Sequence, residues 1–131
     1  MRIFGRPRTA YAHCDLPCGV YDPAQARIEA ESVKALIAKH NASDDPVFKT
    51  RAIFIKEQRS ELVKHHLWVL WTDYFKAPHF EKYPNLHQLF NEATKLAGAG
   101  GTKGSVDVGK ADELLGKIEE ISKIFWETKQ G

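Results

Sequence analysis

Apolar residues recur every three or four positions over four stretches of the chain, the spacing of one buried face of an α-helix. The first stretch starts at Asp22-Pro23 and ends near His40-Asn41, and the second starts at Asp44-Asp45-Pro46 and is free of Gly and Pro until Pro78. An Asp before a Pro is typical of an N-cap and first helical position. Arg59 falls within the second apolar stripe, where a charged side chain needs a partner or a wet interface. The two predicted stripes are Ile28, Val33, Leu36 and Ile37, then Phe48, Ala52, Ile55, Leu62, His66 and Val69.

The third and fourth stretches lie on either side of a glycine-rich segment, residues 98–104. Pro78 and Pro84 mark the turn into the third helix, and the glycine-rich segment is predicted as a flexible linker, since it lacks the Gly-Lys-Ser/Thr ending of a phosphate-binding loop. The predicted buried positions are Tyr83, Leu86, Phe90, Ala93 and Ala97, then Ala111, Leu114, Ile118, Ile121 and Phe125. With no competing strand pattern, the chain is predicted to be all-α, an antiparallel four-helix bundle in up-down-up-down order.

Composition narrows the class of protein only slightly. A chain of 131 residues with 43% hydrophobic residues suits one folded domain with a single core. A net charge of +2 gives no indication of a nucleic-acid or anionic membrane partner, and no apolar run reaches membrane-spanning length. The histidines outside the N-terminal region are predicted as packing or surface residues, because their spacing suits no shared metal: His65, His66, His79 and His87.

Both cysteines lie in one run of nine residues, from His13 to Tyr21. Two thiolates with an imidazole and backbone nitrogen suit a metal that accepts square-planar geometry, such as Ni(II) or Cu(II), and Cu(I) also accepts thiolates. Zinc would need two further ligands at a recognisable spacing, which the chain lacks. A disulfide or a bare thiol pair between Cys14 and Cys18 stays open on residues alone.

The run His13-Cys14-Asp15-Leu16-Pro17-Cys18-Gly19-Val20-Tyr21 resembles the nickel-binding hook of the nickel superoxide dismutase family. The resemblance extends over 22–29, 55–59, 71–76, 79–84 and 123–128, and it covers nearly everything after residue 12. It implies a four-helix bundle that assembles as a homohexamer, in the cytoplasm, with one nickel ion per subunit. It also implies that superoxide is converted to dioxygen and hydrogen peroxide by Ni(II)/Ni(III) cycling.

The resemblance implies a role for particular residues as well. Nickel would be bound by the amine and imidazole of His13, the amide nitrogen and thiolate of Cys14, and the thiolate of Cys18. These three residues and Tyr21 form the expected catalytic set. The surrounding residues have supporting roles: Glu29 and Arg59 hold the His13 imidazole, Tyr74 lines the approach together with Tyr21, and Asp15 lies near the substrate.

An amine ligand at His13 requires the preceding residues to be removed. Residues 1–12 are therefore predicted to be a pro-segment cut by a maturation protease, leaving a domain of 13–131 with its hook at 13–21 and its bundle at 22–131. Ala10-Tyr11-Ala12 resembles a small-residue cleavage site. The alternative from a different class is a helical binding module whose Cys14/Cys18 pair is a disulfide or a thiol redox sensor.

Overall fold

The computed structural model describes residues 19–130, which form five α-helices and one π-helical turn, with no β-strand in that range. The helices are α1 (Ala24–Asn41), α2 (Pro46–Val69), α3 (Ala77–Lys82), α4 (Leu86–Leu96) and α5 (Val108–Gln130), and the π-helical turn Leu70–Tyr74 continues α2. The predicted all-α fold is confirmed. The predicted pro-segment and the residues His13, Cys14, Asp15 and Cys18 lie outside the described residues.

The four long helices α1, α2, α4 and α5 each pack against two of the others. Helix α1 contacts α2, α2 contacts α4, α4 contacts α5, and α5 contacts α1. This ring of contacts is the arrangement of an up-down-up-down bundle, in which consecutive helices are adjacent and antiparallel. The short α3 lies in the connection that the sequence predicted as a plain turn. Between residues 19 and 130, no helix is both long and apolar enough to cross a membrane.

The Asp-Pro pairs lie at the starts of the first two helices; the predicted N-cap is confirmed for α2 and is one residue off for α1. Asp45 Oδ1 accepts a hydrogen bond from the Val47 N–H at 3.0 Å, with Pro46 as the first residue of α2. Asp22 Oδ1 accepts from the Ala24 N–H at 2.8 Å, although Pro23 rather than Asp22 is the N-cap of α1. Each carboxylate satisfies one of the amide groups that the start of a helix leaves unpaired.

The predicted buried faces of α4 and α5 are confirmed, but those of α1 and α2 are partly wrong. Ile28 and Leu62 are exposed. Ala52 is buried as predicted, but beyond it the face of α2 that enters the core lies one position further along than predicted. The sequence pattern selected large apolar residues, whereas small side chains fill much of the contact between α1 and α2. The residues buried there are Ala26, Ala30, Val33 and Ile37 of α1 and Ala52, Lys56, Ser60, Val63 and Leu67 of α2.

Lys56 is the charged residue that the core encloses, and it holds the glycine-rich loop. Its side chain is 2% exposed, and Nζ donates to the backbone oxygens of Thr102, Lys103 and Ser105 at 2.7–2.9 Å. Ser60 Oγ and Thr102 Oγ1 form a second link at 2.9 Å. The loop is thus tied to α2 at several points, an order that its glycine content did not predict.

Candidate functional site

Tyr21 and Tyr74 meet where the described chain begins, beside the end of α2. Their rings lie 5.7 Å apart between centroids at 61°, an edge-to-face contact. Both rings pack against the main hydrophobic cluster. The π-helical turn places Tyr74 there: the Phe75 N–H donates to the Leu70 oxygen at 3.0 Å, five residues back, and the backbone is extended from Phe75 onward. Such π turns often occur at functional sites.

Tyr74 is fixed by α5 as well as by its own segment. Its hydroxyl lies 2.7 Å from Thr128 Oγ1, which itself donates to the Phe125 oxygen at 2.6 Å. Since Thr128 has one hydroxyl proton, the Tyr74 hydroxyl is the donor in the first bond. The Tyr74 ring contacts Phe125 at 4.5 Å, and the Lys129 ammonium lies 5.5 Å from its centroid. The ring is therefore held in one orientation, with a positive charge close by.

Glu29 and Arg59 form an ion pair between α1 and α2. Arg59 Nη1 donates to both carboxylate oxygens of Glu29, at 3.1 and 3.3 Å. The Glu29 side chain is 16% exposed and that of Arg59 is 44% exposed. The prediction that Arg59 lies on the core-facing row is wrong, because that row runs through Lys56, Ser60 and Val63. The prediction that Arg59 needs a partner is consistent with its pairing to Glu29.

The two pairs are separate in the described part of the chain. Glu29 is five residues into α1, roughly 8 Å along the axis from Ala24, and Arg59 is ten residues before the end of α2, roughly 15 Å away from it. The structure thus joins Tyr21 to Tyr74 and Glu29 to Arg59. Whether both pairs serve one centre depends on residues 13–18.

Two histidines near these pairs were not among the predicted site residues. Burial lowers the pKa of His66, and the neighbouring His65 lowers it further, whereas the Glu29 carboxylate acts in the opposite direction. Burial also lowers the pKa of His79, with a smaller contribution from the Lys76 charge. The His79 ring is stacked on that of Tyr74. The sequence gave no indication that His66 and His79 lie near the site, because neither belongs to a recognisable metal-binding pattern.

The described residues contain groups that could support a metal ligand. In residues 19–130, no three His, Cys, Asp or Glu side chains come close enough to share an ion. The strong donors that remain are the imidazole and two thiolates at positions 13, 14 and 18. Thiolate and nitrogen donors together fit a borderline ion that accepts square-planar geometry, and nickel is such an ion. A carboxylate held by a guanidinium nearby could orient the imidazole.

The fold and the sequence together define a class first: small all-α bundles whose N-terminal run has the composition of a metal site. Comparison with known proteins gives the family. Residues 8–129 match the family model described as nickel-containing superoxide dismutase. The chain is 62% identical over 129 residues to the nickel superoxide dismutase of Streptomyces coelicolor, covering 98% of this chain and 97% of that protein. It is 60% identical, with the same coverage, to that of Streptomyces seoulensis.

The solved structures agree. A native nickel superoxide dismutase structure has a TM-score of 0.86 and 64% sequence identity, and it covers 91% of this chain and 100% of its own. The chain therefore belongs to the nickel-containing superoxide dismutases. The predicted oxidoreductase activity on superoxide and the predicted dependence on nickel are confirmed by this membership.

Proposed function

We propose that His13, Cys14 and Cys18 bind the nickel of this superoxide dismutase and that Glu29, Arg59, Tyr21 and Tyr74 complete the site around it. When bound, nickel supplies the one-electron chemistry by which two superoxide ions and two protons give dioxygen and hydrogen peroxide. The other parts of the mechanism belong to the chain: orienting a ligand, admitting a small anion and excluding larger molecules.

The Glu29–Arg59 pair is the observation that carries this proposal. The carboxylate oxygens of Glu29 retain lone pairs after accepting from Arg59, so they can also accept an imidazole N–H. The eleven residues from Ala24 back to His13 can span at most about 36–40 Å, more than the roughly 8 Å from Ala24 to Glu29. An imidazole held by a carboxylate keeps one tautomer and is a stronger donor.

Tyr21 and Tyr74 are proposed to form one wall of the approach to the metal. Tyr21 follows Cys18 by three residues, so it must lie near any ion that Cys18 binds. Its contact with Tyr74 extends that wall to a ring that α5 holds rigidly. The Lys129 ammonium beside Tyr74 makes this side of the wall favourable to an anion.

Relatives match this chain at His13, Asp15 and Tyr21. Three solved relatives with 63% identity carry substitutions of a histidine at their first position, of an aspartate two residues later, and of a tyrosine eight residues after the histidine. The same residue types occur at the same spacing here at positions 13, 15 and 21. This match equates the first residue of those chains with His13 and supports His13 as the N-terminal residue after cleavage.

Coverage of the relatives supports the pro-segment. The curated relatives match 98% of this chain, whereas the native solved structure matches 91% of it with all of its own chain. The unmatched 9% of 131 residues is about 12 residues, the length of the predicted pro-segment 1–12. We infer that a maturation protease cuts between Ala12 and His13 and leaves the domain 13–131.

Assembly and location are the remaining parts of the proposal. Large apolar side chains are exposed on α2 and α5, at Phe54, Trp68 and Trp126. Exposed aromatic residues of this kind are typical of a subunit interface, which supports the predicted homohexamer. A cytoplasmic location stays a prediction. Family membership argues against the alternative of a helical binding module with a Cys14/Cys18 disulfide or thiol sensor.

The test measures nickel content and dismutase activity on the purified chain before and after cleavage between Ala12 and His13. We expect about one nickel per chain and superoxide-dependent turnover only after cleavage, because the uncut chain has an amide in place of the amine at His13. Cys14→Ser should lose nickel and activity while circular dichroism shows the bundle intact. Full nickel binding and activity in the uncut chain would contradict the pro-segment, and activity in Cys14→Ser would contradict the ligand set.

A further inference from the structure

His79 is stacked on the ring of Tyr74. The two centroids lie 5.8 Å apart and the planes differ by 7°, whereas Phe75 meets the same ring at 85° and Phe125 at 39°. His79 is thus the one near-parallel neighbour among these three rings. Because Tyr74 contacts Tyr21 on another side, a movement of the His79 ring would be passed to the pair of tyrosines.

The His79 ring is itself held at the start of α3. Its Nδ1 accepts the Lys76 N–H at 3.0 Å, while the His79 N–H donates to the Lys76 oxygen at 2.9 Å. The His79 side chain thus takes the part that Glu or Gln plays at the third position of a capping box, while the return bond goes to the Lys76 backbone oxygen rather than to a side chain. An Nδ1 that accepts a hydrogen bond carries no proton, so His79 is the neutral tautomer with its proton on Nε2.

We propose that neutral His79 is a positioning residue for Tyr74, and that its protonation releases the tyrosine wall of the site in acid. The proposal deepens the proposed function, since it rests on Tyr74 lining the approach to the metal. Protonation would place an N–H opposite the Lys76 N–H and remove the bond that anchors the imidazole. The ring would then leave the cap, and Tyr74 would lose the flat surface on which it is stacked.

The charges around this group favour the neutral form of His79. Lys76 lies three residues before His79, and its ammonium donates to the backbone oxygen of Asp73 at 2.7 Å. The Lys129 ammonium of α5 lies over the Tyr74 ring, on which His79 is stacked. The acidic groups on the π-helical turn and α3 are Asp73 and Glu81; the Asp73 carboxylate lies 3.2 Å from the Thr72 hydroxyl, which also donates to the Trp68 backbone oxygen at 2.8 Å. Burial, and then the Lys76 charge, lower the pKa of His79, which agrees with this geometry.

Two substitutions of His79 separate its hydrogen bond with the Lys76 N–H from its stacking on Tyr74. His79→Gln keeps an oxygen that can accept the Lys76 N–H, as glutamine does in a capping box, but removes the aromatic ring and the titration. His79→Phe keeps an aromatic ring and removes both the acceptor and the titration. His87→Gln is the matched control, because His87 stacks on Phe80 at 3.8 Å and accepts from the Trp71 N–H, away from Tyr74.

The first readout is independent of catalysis. The sample is the cleaved, nickel-loaded protein with labelled His and Tyr, in which residues 13–131 contain three tyrosines. The Tyr74 ring resonance, assigned by Tyr74→Phe, should move with the His79 titration. The movement should vanish in His79→Gln and His79→Phe and persist in His87→Gln. A Tyr74 resonance that ignores the His79 titration, or that still titrates in His79→Phe, would overturn the proposal.

The second readout is the rate of dismutation, corrected for the uncatalysed reaction. Relative to His79→Phe, the wild-type kcat/KM should fall by about threefold or more between about pH 7.5 and pH 5.5, and His87→Gln should follow the wild type. An equal pH profile for wild type and His79→Phe would overturn the link to catalysis. If Tyr74 follows His79 in the spectra but Tyr74→Phe has full activity, the proposed role of Tyr74 in the site fails instead.

Discussion

Replacing Glu29 with glutamine tests the site more sharply than any change to the nickel ligands, because it leaves those ligands in place. Glu29→Gln keeps the size of the side chain and an oxygen that Arg59 can contact, but it removes the negative charge. The pair it disrupts is partly exposed, at 16% for Glu29 and 44% for Arg59. Partly exposed ion pairs contribute about 0.2–1 kcal/mol, so the free energy of unfolding should change by less than about 1 kcal/mol.

The effect on nickel should be larger than the effect on folding. Removing a carboxylate that orients a ligand imidazole typically weakens metal affinity or activity by about 10- to 100-fold, which is about 1.4–2.8 kcal/mol of binding free energy. Only the change in nickel-binding free energy depends on Glu29 acting on His13; the change in the free energy of unfolding does not. The two magnitudes therefore separate a residue that serves the site from one that merely joins α1 to α2.

The assay compares nickel affinity by competition with a chelator and stability by urea unfolding of the apo protein after cleavage. Asp112→Asn is the matched control, because Lys34 and Asp112 form an ion pair between α1 and α5 at 2.7 Å, with exposures of 46% and 54%. We expect similar small stability changes in both variants and weaker nickel binding only in Glu29→Gln. Unchanged nickel affinity and activity in Glu29→Gln would refute the reasoning.

Three further predictions concern the scaffold. Lys56→Met should lower the free energy of unfolding by about 3 kcal/mol in urea titrations, since three backbone oxygens lose a donor at about 1–3 kcal/mol for each one left buried; a loss below about 1 kcal/mol would contradict this. Gly101→Ala should lower the melting temperature because its Cβ would overlap the Leu96 carbonyl, whereas Gly116→Ala, with open space around it, should not. Burial lowers the pKa of His66 and of His79 in the folded protein, so the unfolded chain binds protons first and the free energy of unfolding falls as pH drops below about 6.5. The urea midpoint should therefore drop between about pH 7.5 and 5.5, and it should drop less in the double variant His66→Gln/His79→Gln.

The buried faces of α4 and α5 were predictable because large apolar residues fill them at helical spacing. The face of α1 was less so, because alanines at positions 26 and 30 form part of the contact and carry little hydropathy signal. In α2 the buried row includes Lys56 and Ser60, which a hydropathy pattern assigns to the surface. Their burial follows from partners in the glycine-rich loop more than 40 residues away, which no local pattern contains.

The candidate site also has a part that the sequence predicted and a part that only the fold revealed. The run from 13 to 21 indicated a site with sulfur and nitrogen donors from residue type and spacing, and left Ni(II), Cu(II), Cu(I) and a disulfide open. The resemblance implied nickel and its particular ligands, and family membership confirms the nickel. The pairing of Glu29 with Arg59 became visible only in the fold, since thirty residues separate them along the chain. The stacking of His79 on Tyr74 depends on the π-helical turn and the cap of α3, two backbone features that the apolar pattern does not encode.

The sequence by itself determined the helical class and the start of α2 at its Asp-Pro pair, and it predicted a metal-binding chemistry for the N-terminal run. These follow from local forces: backbone caps, the period of an apolar face, and the ligand preferences of thiolates and imidazoles. Tertiary structure alone decided which polar groups meet, because a hydrogen bond or ion pair between helices depends on how their faces are rotated against each other. That rotation is set by packing of the whole core, here by small residues between α1 and α2 and by a buried lysine that closes the loop between α4 and α5.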